Sequence, residues 1–370
     1  MHRCLLTLPL LFWYGTALAD NPSARDLILR FEKELSPIWV DGDTATFFYR
    51  GEEEQVTLLI GGEQKPMRNL PKSDVWTTTV TRPGMAKAVF NYAFLPGKKG
   101  ESALIIGMTV RPQPWRGPKA PPAAAKVTRL EGQLKVVEFD SKALGESRRV
   151  IVYLPPGHDP TKTYPVIYAT DSHHAGNLLE PLITAGKVPP LIAVAASSPG
   201  YKGEQAGAYD LKKDVRASEY VAGLDADRYR KHETFFCEEL PAWAEKEFGA
   251  SKERKDRAIH GFSNGGRFAV DIALKRPNLY AHVFAFSLAG RTDFKLVKKP
   301  ANPPHFHLAA GTWEKNFHKI TSTVADALKR QKVPTTFVTR VAGHDFMMWE
   351  DELATAVVRA FGTPEKADEH

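Results

Sequence analysis

One serine in this chain is set among glycines: His260-Gly261-Phe262-Ser263-Asn264-Gly265-Gly266. The pattern Gly-x-Ser-x-Gly suits a nucleophile on a sharp turn from a strand into a helix. A side chain at either flanking position would collide with the backbone folding over the serine. In a chain with 27 glycines the pentad by itself says little. A serine hydroxyl is a poor nucleophile near neutral pH, so it needs a base within hydrogen-bond reach and a group that orients that base. The histidines downstream are His282, His305, His307, His318, His344 and His370. His344 follows the run VTRVA and a glycine, where a loop leaving a sheet edge can carry it over the serine. His282, His305 and His307 fall in or beside apolar runs, His318 lies in a helical stretch, and His370 is the last residue.

The elements that would position these groups can be read from the surroundings. The residues AIHG before the serine have strand character, and NGGRFAVDIALK (264–275) has helical character that Pro277 stops. Further apolar runs alternate with helical stretches: YPVIYAT, PPLIAVAAS, AHVFAFS, FHLAAGT and TTFVTRVAG. Near-continuous apolar runs are what strands buried on both faces require. The spacing therefore predicts an α/β fold with a mostly parallel sheet and helices on both faces. LKVVEF and RVIVYLP, just upstream, predict a hairpin.

The first part of the chain has another rhythm. DTATFFYR, QVTLLIG, DVWTTTV and AVFNYAF are short strand-like runs between turns, without a helical period between residues 38 and 110. They predict a small all-β sandwich over 20–112, in which Trp39 and Trp76 are core residues rather than sugar-binding platforms. A Pro/Ala-rich linker follows over 113–128, then the α/β domain over 129–362 and a polar tail over 363–370.

Composition narrows the class. At 43% hydrophobic and 25% charged, the chain is neither disordered nor membrane-embedded. A net charge of +7, without basic blocks interleaved with aromatics, gives no reason to expect nucleic acid as a partner. Arg3, the apolar run Leu5 to Trp13 and Ala17-Leu18-Ala19 read as a cleavable export signal, residues 1–19. The expectation is a secreted or periplasmic protein. The run is too short to span a bilayer stably, so no membrane span is expected after cleavage. Cys4 lies within that signal, and Cys237 in FFCEEL reads as a buried structural thiol.

HGFSNGG, the preceding HETFFCEELPAWAEKEFGASKERKDRAIHG and the late VAGHD resemble the enterochelin-esterase-like branch of the α/β-hydrolases. That branch also takes in esterase D, feruloyl esterases and mycolyltransferases. The resemblance covers about residues 130–362. SPIWVDGDTATFFYRG and SDVWTTTV resemble the immunoglobulin-like E-set domain that precedes the hydrolase in enterochelin esterases. The family usually reads Leu-Asp-Gly after its third strand. This chain reads ATDSHH, which keeps Asp171 and puts Ser172 in place of the glycine.

The resemblance implies a serine esterase working through an acyl-enzyme, without metal or cofactor, on a small-molecule or saccharide ester. The nucleophile would be Ser263 and the base His344, with the acid between them in chain order. Glu314, three residues past Gly311, is the expected acid. Asp293, in AGRTDF on the preceding strand's exit, is the alternative, and Asp345, beside His344, is expected to point away. The oxyanion donors would be the amides of Asn264, at a helix N-terminus, and of Ser172 or a neighbour. His173 and His174 would line the pocket mouth. A metal site from these two and the His305-x-His307 pair lacks an accompanying carboxylate cluster. Arg216, Glu219 and Tyr220 belong to a long insertion over 197–232, and their stretch RASEY resembles one found in the family. They read either as a salt-bridged loop or, through Arg216, as a clamp for an anionic substrate. Two rivals remain open: acyl transfer to an alcohol, and a non-catalytic binding protein on a hydrolase scaffold.

Overall fold

Burial alternates along Gln55–Ile60, as a strand covered on one face requires. The computed structural model describes residues 23–34, 36–61, 63–98, 112–171, 175–199, 214–296 and 298–362. The expected signal at 1–19 and the tail at 363–370 lie outside them. A helix, α1 (Ala24–Glu34), precedes β1 (Ile38–Asp41), β2 (Thr44–Arg50), β3 (Gln55–Ile60), β4 (Glu63–Pro66), β5 (Arg68–Asn69), β6 (Val75–Thr81), β7 (Val89–Gly97) and β8 (Gln113–Arg116). These strands form two four-stranded antiparallel sheets, β1-β2-β6-β5 and β4-β3-β7-β8. Phe47, Leu58, Ile60, Trp76, Phe90 and Tyr92 fill the space between them.

Three features of this region depart from the sequence reading. The helix α1 was not expected; it lays Leu27 against Phe48, Leu70 and Val75, and Phe31 stacks on Phe48 at 5.4 Å. The expected linker at 113–128 begins too early, because Gln113–Arg116 is a strand. Pro114 stands opposite Asn91 on that edge strand, where a missing N–H is tolerated, and Trp115 packs on Phe90 at 4.8 Å. Trp76 is buried, whereas Trp39 is only half-buried, with the Arg30 guanidinium 3.2 Å from its ring centre.

The second region is one eight-stranded sheet. Its strands are β9 (Gln133–Ser141), β10 (Glu146–Leu154), β11 (Val166–Thr170), β12 (Ile192–Ala196), β13 (Arg257–Phe262), β14 (His282–Phe286), β15 (His305–Gly311) and β16 (Thr335–Arg340). Their order is β9-β10-β12-β11-β13-β14-β15-β16. β9 and β10 form the antiparallel hairpin, β10 also runs antiparallel to β12, and β11 to β16 are mutually parallel. The helices are α2 (Gly176–Thr184), α3 (Val215–Tyr220), α4 (Ala226–Thr234), α5 (Leu240–Phe248), α6 (Asn264–Lys275), α7 (Lys315–Arg330) and α8 (Phe346–Phe361).

Successive residues of the central strands feed opposite cores. Ile259, Val283 and Ala285 pack with residues of α5, α6 and α7, while Ala258, Phe284 and Phe286 pack with residues of α2 and α8. Both faces of the sheet are thus covered, which is why these strands read as unbroken apolar runs. This is the α/β-hydrolase fold. Between α4 and α5 a π-helical turn, Phe235–Glu239, carries Cys237. Burial pushes that thiol up to about 12, which keeps it protonated and unreactive.

Candidate active site

Ser263 stands between β13 and α6 with φ 56° and ψ −125°, a backbone conformation that side chains avoid. Neighbours hold it there. Its N–H donates to the Phe286 carbonyl at 2.9 Å, and its own carbonyl accepts from Arg267 and Ala289, each at 3.1 Å. The glycines around it answer to close contacts. A Cβ on Gly261 would sit 2.4 Å from the Gly265 carbonyl oxygen, and one on Gly265 would sit 2.2 Å from Thr170 Oγ1 on the neighbouring strand. The first contact is the backbone collision that the pentad implies; the second comes from the adjacent strand β11. Asn264 begins α6, where the first amides lack partners inside the helix.

His344 lies in the loop between β16 and α8. Its Nδ1 is 2.6 Å from Glu314 Oε2. With the Nδ1 proton on the carboxylate side, Nε2 is the nitrogen left to act as a base. The imidazole is stacked on Phe317 at 4.0 Å and meets Trp349 edge-on at 4.8 Å. Phe262, the residue before Ser263, stacks on the same indole at 4.3 Å. One tryptophan therefore packs against both the elbow strand and the histidine ring.

Glu314 stands at the start of α7 and is buried. Its Oε1 accepts from Ser287 Oγ and from the Gly311 N–H, both at 2.6 Å. Ser287 in turn accepts from Trp349 Nε1 at 2.7 Å and has a φ of 49°. Neither Ser287 nor Trp349 was singled out from the sequence. The one available signal was that Ser287 directly follows the apolar run of β14, at the sheet edge where Ser263 also stands.

Asp293 is in a different place. It is exposed, and both its carboxylate oxygens accept from Arg291, at 3.1 and 2.9 Å. Asp345 accepts from Asn91 rather than from the histidine beside it. Arg216 is bound to Asp171 through two bonds, Nε at 2.6 Å and Nη2 at 2.9 Å, which is the loop-tying geometry and not that of a free clamp. Glu219 is fully buried, paired with Arg148 and with Arg228, whose Nε donates at 2.9 Å. Tyr220 Oη accepts the Asp171 N–H at 3.0 Å. Ser172, His173 and His174 lie outside the described residues. His305 Nε2 lies 3.2 Å from Thr336 Oγ1, and His307 Nε2 lies 3.1 Å from Glu352 Oε2. Among the described residues no group of three or more His, Cys, Asp and Glu is arranged to hold a metal ion.

His260, on the strand leading into the elbow, has a consequence for acid stability. It is 1% exposed with Nδ1 3.0 Å from the Phe284 carbonyl, and burial pushes it down to about 4. The unfolded chain takes up this proton near 6.5, whereas the native state resists it until about 4. The contribution is complete above pH 6.5 and is lost as pH falls from there toward 4, roughly 3 kcal/mol over the window. Melting temperatures between pH 7 and 4 should fall more steeply for wild type than for His260→Gln, relative to each protein's own value at pH 7. Parallel curves would dismiss His260 as a contributor.

The model of the Esterase family, described as "Putative esterase", matches residues 141–360, more than half of the chain. The chain belongs to this esterase family. Its class is carboxylic ester hydrolase. This esterase is 22% identical over 204 residues to "Uncharacterized protein YjcH" of Bacillus subtilis (strain 168), a match covering 53% of this chain and 79% of that protein. It is 25% identical over 235 residues to an endo-1,4-beta-xylanase/feruloyl esterase of Xylanibacter ruminicola, covering 59% of this chain and 30% of the relative's length. Its fold is similar to that of the ferric enterobactin esterase of Salmonella typhimurium. The TM-score is 0.69 at 15% identity, over 90% of this esterase and 98% of the other chain. Among the described residues no helix is long and apolar enough to cross a membrane.

Proposed function

We propose that this esterase is an exported serine hydrolase that cleaves its ester through an acyl-enzyme. The observation that carries the reading is the buried Glu314 carboxylate 2.6 Å from His344 Nδ1, at the sheet edge where Ser263 is held in a strained elbow. Ser263 Oγ attacks the ester carbonyl while His344 Nε2 takes its proton. The negative charge on the tetrahedral oxygen falls to the Asn264 amide and to a second amide after β11, Ser172 by its position in the chain. Collapse of this intermediate breaks the bond to the alcohol, which leaves with the proton from His344. Water then attacks the acyl-enzyme by the same route, and the acid product and free Ser263 result. Glu314 holds the Nδ1 proton and opposes the charge on the ring at each step. Residues 1–19 supply the export signal, and the N-terminal sandwich is of the immunoglobulin-like E-set kind.

The substrate class we favour is a siderophore ester or a carbohydrate ester of the feruloyl type, on the strength of the names of the ferric enterobactin esterase and the feruloyl esterase it is similar to. A panel of p-nitrophenyl esters, then siderophore and feruloyl esters, each with and without an added acceptor alcohol, tests the reading. Hydrolysis of at least one class is the expected result. Product carried mainly on the acceptor would establish acyl transfer instead, and inertness toward every ester would sink catalysis.

A further inference from the structure

We propose that the N-terminal sandwich is a working part of this active site, with Asn91 as a positioning residue for His344. The proposal rests on the Ser263–His344–Glu314 reading above. β3 pairs with β7 only from Tyr92 onward. The start of β7 therefore extends past β3, and there it meets the loop that carries the histidine. Val89 donates its N–H to the Val341 carbonyl at 3.0 Å and lies in parallel register with Ala342. Two residues on, Asn91 presents its backbone N–H to one oxygen of Asp345 and its side-chain amide to the other, both at 2.8 Å. Asp345 follows His344 directly, is buried, and also accepts the Met347 N–H at 2.8 Å, which caps α8. The segment 341–345 is thus held on both sides of His344 by one strand of the sandwich.

The acid is held in the same way. Trp313, the residue before Glu314, packs its indole on Phe90 at 5.6 Å, beneath the Arg82 guanidinium at 4.9 Å. Its Nε1–H donates to the Pro83 carbonyl at 3.2 Å, and its backbone N–H to Ala342 at 3.0 Å. The neighbours of both triad partners are therefore tied to the sandwich as well as to the sheet that bears Ser263. A histidine displaced by an ångström from its nucleophile loses on the order of a hundredfold in rate, so such anchoring bears on turnover.

Other contacts between the two regions, such as Arg116 Nη2 to Asp351 Oδ2 at 2.8 Å, reach α8 away from the histidine. They supply the control. Asn91→Ala should lower kcat by about ten- to a hundredfold with KM within about threefold of wild type, and should slow labelling by a fluorophosphonate in proportion. Arg116→Ala should keep kcat within about twofold. Equal losses in the two variants would mean general interface damage and would overturn the proposal, as would wild-type kcat in Asn91→Ala. Should Asn91→Ala fail to fold, Asn91→Asp keeps the size and sets a carboxylate against Asp345; the same loss of kcat at constant KM is expected, and full activity overturns the proposal. Ser263→Ala, measured alongside, separates the two readings. Activity surviving there removes the triad and the positioning role together, whereas an inactive Ser263→Ala beside a fully active Asn91→Ala removes only the positioning role.

Discussion

Ser263→Ala should lower the rate of ester hydrolysis by at least about a thousandfold while leaving the melting temperature close to that of wild type. In the proposed mechanism the hydroxyl oxygen forms the new bond, so no neighbour can substitute for it. What remains is the weaker catalysis of oxyanion donors and binding acting on water. Folding should be spared, because the contacts that hold residue 263 are made by its backbone: the N–H to Phe286 and the carbonyl to Arg267 and Ala289. Alanine meets the same positive φ as serine and keeps all three. A fluorophosphonate should label wild type and leave the variant unlabelled. Labelling that persists in Ser263→Ala would remove this serine from the mechanism.

Glu314→Gln should show the second large loss, about ten- to ten-thousandfold in kcat with KM little changed. The carboxylate is buried, with Oε1 occupied by Ser287 and Gly311 and Oε2 by His344. Glutamine can satisfy one side of this arrangement only by turning its amide toward the other. If the amide nitrogen faces the ring, Nδ1 must accept, the proton moves to Nε2, and the base is lost. If the amide oxygen faces the ring, the tautomer survives but the charge that opposes the imidazolium is gone, and the nitrogen confronts the Gly311 N–H. Asp293→Asn should stay within about threefold of wild type, since its carboxylate is spent on Arg291 in solvent. A Glu314→Gln enzyme with wild-type turnover, or a collapse in Asp293→Asn, would sink this assignment of the acid.

The parts of this molecule that could be read from the sequence are those set by local pattern. Five apolar runs became β11 to β15 because strands covered on both faces must be apolar throughout, and the elbow helix spans the expected 264–275 because Pro277 stops it. Apart from α1, what was missed depends on partners distant in the chain. Nothing in PQPWR marks a strand until Val89–Tyr92 is beside it. Ser287 and Trp349 are ordinary residues until the fold puts one between Glu314 and the other. Arg216 had two readings because its partner, Asp171, lies 45 positions away. Asn91 carried no signal at all; its role comes from Asp345, 254 positions on.

The charges beneath α3 bear on whether that helix can move. This six-residue helix carries Arg216 toward the elbow, and a short element in such a place invites the idea of a lid. Swinging it outward would take Glu219 from Arg148 and Arg228 together, leaving Arg148, 3% exposed, only the half-exposed Glu146. Removing one partner from a buried pair costs about 3–5 kcal/mol. An outward α3 would then be populated on the order of once in a thousand molecules. The ion pairs of Glu219 thus hold α3 in place.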